Sequence, residues 1–76
     1  MPDHVETEFA GEHAGQNYTV QVLPTADVAP RGKRHVVLRI RFRGATEDFV
    51  ELIPRTLTEA FIHTTVRGLI ADTWPS

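Results

Sequence analysis

Seventy-six residues, 41% hydrophobic and 24% charged, have an ordinary globular composition, clear of the low-hydrophobicity, high-charge regime of disordered chains. One domain is the ceiling at this length, and its core supplies only about 3–5 kcal/mol, so chains of this size lean on disulfides, metals or oligomerisation. The chain has no cysteine, which excludes disulfides, thiolate zinc sites, redox pairs and cysteine nucleophiles together, and its net charge is −2.

The first ten residues carry Asp3, Glu6 and Glu8 without an apolar run, unlike a secretory signal. No stretch approaches the roughly 18–20 apolar residues of a membrane span. A cytoplasmic protein without a membrane partner is the expectation.

Val5, Thr7 and Phe9 alternate with Glu6 and Glu8 and predict a short strand with an acidic outer face. Ala10 to Gln16, with Gly11 and Gly15, reads as a turn, and Asn17 to Leu23 alternates again as a second strand. Pro24 to Lys33 reads as a loop interrupted by Pro30 and Gly32. Arg34 to Arg43 is the clearest strand, with Val36, Leu38, Ile40 and Phe42 on one face and Val37, Arg39, Arg41 and Arg43 on the other.

After Gly44 the period changes. Thr46 before Glu47 and Asp48 resembles a helix start, and Thr56 with Glu59 has capping-box spacing. On a wheel over 47–72, Glu47, Glu51, Pro54, Thr58, Thr65 and Asp72 share one polar sector, which favours helix over strand for 49–53. Pro54 then kinks or splits that helix. From Leu57 to about Asp72 the helical period is clear, and Trp74 beyond it is expected to pack back on the sheet. The fold class is α+β: an antiparallel sheet of three strands, possibly four, covered by a C-terminal helix.

Six of the eight basic residues fall between Arg31 and Arg43, an interval without an acid. One reading is a cross-strand charge ladder with Glu6 and Glu8. The other is a row of Arg39, Arg41 and Arg43 on the open face, with Lys33 and Arg34 at its edge, that binds phosphates of nucleic acid or another anion. A sheet with a helix behind and arginines in front resembles, in architecture only, three-stranded DNA readers such as the AP2 and integrase arm-binding domains. Their sequence motifs are not present.

The helix carries Ala60, Thr64 and Gly68 at spacing four, flanked by Leu57, Phe61 and Ala71, while Ile62, Val66, Leu69 and Ile70 occupy a different sector. A helix apolar on two sides needs a second cover. Either segment 49–53 or the Pro24 to Lys33 loop supplies it, or another copy or another protein docks on Leu57, Ala60, Phe61, Thr64 and Gly68.

His4, His13, His35 and His63 show no metal-ligand spacing, and Ser76 is the only serine, outside any nucleophile elbow. Gly11 and Gly15 lack the spacing of a phosphate loop. The sequence therefore points to a non-enzymatic interaction module without a cofactor, homo-oligomeric through its C-terminal helix, with nucleic-acid binding by strand 34–43 as the alternative.

Overall fold

The computed structural model describes residues 5–25 and 28–74. Among the described residues four strands, β1 (Thr7–His13), β2 (Gln16–Pro24), β3 (Lys33–Phe42) and β4 (Ala45–Pro54), form one antiparallel meander in the order β1-β2-β3-β4, and a single helix, α1 (Glu59–Thr73), follows. β1 joins β2 through Ala14 (φ 53°) and Gly15 (φ 78°), and β3 joins β4 through Arg43 (φ 53°) and Gly44 (φ 77°). Two successive positive φ values make the two-residue turn whose twist matches that of paired strands, and glycine at the second position lowers its cost.

The register sets one apolar side chain against the next on a single face. Thr7, Val22, Leu38 and Phe49 form one row across the sheet, and Phe9, Val20 and Ile40 lie in the adjacent one. α1 lies over this face with Ile62, Val66 and Ile70, which with Val20, Val22, Val36, Leu38, Ile40 and Ile53 have no solvent exposure. Trp74 closes one end, half-buried, its ring 5.7 Å from Phe42 and 6.5 Å from Phe49, edge to face. Packing on the sheet is the role expected for it.

Segment 49–53 is strand, not helix. β4 runs unbroken from Ala45 through Thr46 to Pro54, so Thr46 caps nothing and α1 is neither kinked nor split at Pro54. The polar wheel positions Glu47 and Glu51 lie on the inward face of β4, opposite Ile40 and Val36. β4 is an edge strand, where an inward acid reaches solvent past the rim, and such charges discourage pairing with other chains. The alternating pattern is blurred for that reason.

The helix also starts later than its capping-box signal. Thr58, not Thr56, is the N-cap: its backbone is extended and its hydroxyl accepts from the Phe61 N–H at 3.2 Å. Leu57 just before the cap and Ile62 in the first turn both pack into the core, the arrangement of a hydrophobic staple, which fixes how the chain enters the helix. β1 extends to His13, so the predicted turn at 10–16 shrinks to Ala14 and Gly15.

Candidate interaction surfaces

The helix ridge lies on the outside. Ala60, Thr64, Gly68 and Ala71 are exposed, and a Cβ placed on Gly68 would meet nothing within 4 Å. Phe61 beside them is 38% exposed, a large apolar side chain held in water. Leu57, grouped with them by spacing, turns inward and packs against the core. Neither β4 nor the described part of the 25–32 loop covers this stripe.

On its inner flank the helix is clamped by a buried phenol. The Tyr18 ring passes under Gly11, where a Cβ would lie 2.6 Å from its Cζ, and its hydroxyl hydrogen-bonds His63 Nδ1. His63 Nε2 faces the Glu59 carboxylate at 3.4 Å. Burial pushes the Tyr18 pKa above its ordinary 10.0, with the Arg67 charge acting in the opposite direction. At 1% exposure Tyr18 is closed to any substrate, and the contact serves to satisfy a buried hydroxyl.

The arginine strand does not form a continuous row. Arg39 and Arg41 stand on the open face, but β3 ends at Phe42 and Arg43 sits in the turn at φ 53°, off the alternation. Arg43 Nε donates to Gln16 Oε1 at 2.7 Å, and its guanidinium lies 5.1 Å from the Phe42 ring centroid. Arg39 makes a paired contact with Asp48, Nε to Oδ1 at 3.0 Å and a terminal nitrogen to Oδ2 at 3.2 Å. Arg34 grips both oxygens of Glu6, a bond that raises its pKa further. Glu8 accepts instead from Gln21 Nε2 at 2.9 Å.

A ladder therefore exists, but its acids are Glu6 and Asp48. Asp48 could not be chosen from the sequence while Thr46, Glu47 and Asp48 read as a helix start. Around Arg41, with Thr19 and Thr46 directly across on either side, lies a shallow polar depression of about 250 Å³ that Glu8, Gln21 and Arg39 also line. Lys33 and Arg41 have no ion-pair partner among the described residues.

The histidines are spread out: His13 lies edge-on to Phe42 at 6.0 Å, His35 stands on the open face with a buried Nδ1, and His63 holds Tyr18. Among the described residues no three of His, Asp and Glu gather as metal ligands, and no helix is long and apolar enough to cross a membrane. His4 and Ser76 lie outside the described residues. Compared with protein-family models, with curated proteins and with solved structures, the chain matches none.

Proposed function

We propose that this chain is a non-enzymatic interaction module of the cytoplasm that associates with a second copy of itself through the outer face of α1. One observation carries the reading: Ala60, Phe61, Thr64, Gly68 and Ala71 form a solvent-facing stripe of small and apolar side chains on a helix whose opposite side is already buried. Small residues let two helix backbones approach closely, and a neighbouring Phe61 supplies the apolar area that rewards the approach.

A fifteen-residue helix is only about 22 Å long, whereas a stable dimer buries about 800 Å² per partner. Association is therefore expected to be weak and concentration-dependent. Light scattering coupled to size exclusion tests it across a concentration series, with Gly68→Leu as the breaking variant. Because nothing lies within 4 Å of a Cβ at Gly68, that variant should keep its fold and lose the dimer. A parent protein that stays monomeric at millimolar concentration would sink the proposal.

A further inference from the structure

The eight basic residues divide by what engages them. Arg34 is held by Glu6, Arg39 by Asp48 and Arg43 by Gln16, while Arg41 stands alone in its depression and Arg67 lies on α1. The remaining three, Arg31, Lys33 and Arg55, are exposed and have no hydrogen-bond or ion-pair partner for their side chains among the described residues.

The fold gathers these three at one corner. The Lys33 N–H donates to the Pro30 carbonyl at 3.0 Å, closing a turn around Gly32, and the Arg55 N–H donates to the Gly32 carbonyl at 3.1 Å. Lys33 also stands in register with Pro54, the residue before Arg55. Two segments distant in the chain are thus tied by backbone bonds, and neither 28–46 nor 52–58 contains an acid. Arg31, Lys33 and Arg55 bring three positive charges together on a chain of net charge −2.

We propose that Arg31, Lys33 and Arg55 form a sequence-independent contact for the phosphate backbone of nucleic acid. Guanidinium forks match phosphate oxygens in pairs, and a cationic cluster held on a hydrogen-bonded turn binds phosphate with little ordering cost. Base reading is not expected, because residues 28–34 and 52–58 contain no aromatic side chain to stack on a base. A lipid surface fits less well: Val28, 93% exposed, is the single large apolar side chain on the described part of the loop, short of what an interfacial anchor inserts.

The test is a fluorescence-anisotropy titration of the whole chain against a labelled mixed-sequence DNA duplex at several salt concentrations. Three phosphate contacts give a slope of log K against log salt of about −2.7, from about −0.9 per contact. Arg31→Gln, Lys33→Gln and Arg55→Gln should each lower that slope by about one contact. Lys33→Arg should keep it, which separates charge from folding, and Arg41→Gln should leave it unchanged. No binding at low salt overturns the proposal. So does a slope that responds to Arg41→Gln and not to Arg55→Gln, or binding to phosphatidylserine-rich vesicles without binding to the duplex. None of these residues belongs to the outer face of α1, so the titration reads the same on the Gly68→Leu monomer, and either proposal can fail without the other.

Discussion

The same strands build both faces of the sheet, and the faces are held by different forces. Beneath α1 the alternate residues of β3, Val36, Leu38, Ile40 and Phe42, are buried to 1% exposure or less. On the other side the same strand offers His35, Val37, Arg39 and Arg41, and β4 leaves Val50, opposite Val37, 61% exposed and Leu52, opposite His35, 42% exposed. One face is fixed by dispersion and the removal of apolar surface from water, the other by charge pairs and hydroxyls that remain solvated. Stability is therefore concentrated on one side, which leaves the open side, like the outer stripe of α1, free to vary without unfolding the chain.

Adjacent residues give the sharpest way to break this comparison. Leu38→Ala removes buried methyls beneath the helix and should cost about 2–5 kcal/mol, a large part of the stability of so small a domain. Val37→Ala, one residue away on the open face, should cost under about 1 kcal/mol, chiefly through lost strand propensity. Urea denaturation of both variants checks it. Equal losses would mean that the open face is covered in solution.

Next in size is Gly11, where the helix-covered side makes an unusual demand. Gly→Ala in a strand ordinarily stabilises a little by restricting the unfolded chain. Here the added Cβ would lie 2.6 Å from Tyr18 Cζ, with His63 holding the hydroxyl from above, so Gly11→Ala should cost about 1–3 kcal/mol. Tyr18 is the only tyrosine, so phenolate absorbance reports on it alone. Its raised pKa favours the protonated phenol in the folded state, so its contribution is intact below pH 10 and is lost as pH climbs through the folded-state value. The parent should titrate above 10.0, and Gly11→Ala, by pushing the ring toward water, should bring the midpoint back toward it.

The helix start offers a smaller effect and a direct check on the cap. Thr58→Ala should cost about 1 kcal/mol, the usual loss when an N-cap hydroxyl is removed, because its oxygen accepts from Phe61 N–H. Thr56→Ala, at the position that capping-box spacing favours, should change the denaturation midpoint by no more than about 0.5 kcal/mol.

How far the chain could be read from its residues follows the same division between covered and uncovered surfaces. β3, paired on both sides and buried on one face, shows strict alternation, as does most of β2, because each inward position must be apolar. β4 has a free edge, so Glu47 and Glu51 can point inward and escape at the rim, and the period that distinguishes strand from helix is lost. Favouring helix over a fourth strand there hid Asp48 as the partner of Arg39. The outward ridge of α1 was legible because the opposite sector already had enough apolar residues to meet the sheet. The corner of Arg31, Lys33 and Arg55 was not legible, since the contact joining Gly32 to Arg55 belongs to the tertiary fold, and no local pattern marks it.

The smallest expected effect bears on the open face most directly. Arg39 and Asp48 meet with good paired geometry, yet their side chains are 31% and 50% exposed. Exposed ion pairs couple by about 0.2–1 kcal/mol, because water screens the attraction and ordering two side chains offsets part of the gain. A double-mutant cycle of Arg39→Gln and Asp48→Asn, read by urea denaturation, should therefore give a coupling in that range that shrinks as salt rises toward about 1 M, where the screening length falls to about 3 Å. Arg39 has further interactions, so the cycle and not the single Arg39→Gln variant isolates the pair. A coupling above about 2 kcal/mol that persists in high salt would place the pair in a desolvated setting. The open face would then be buried against another molecule in solution, and the contrast between the two faces would hold only for the isolated chain.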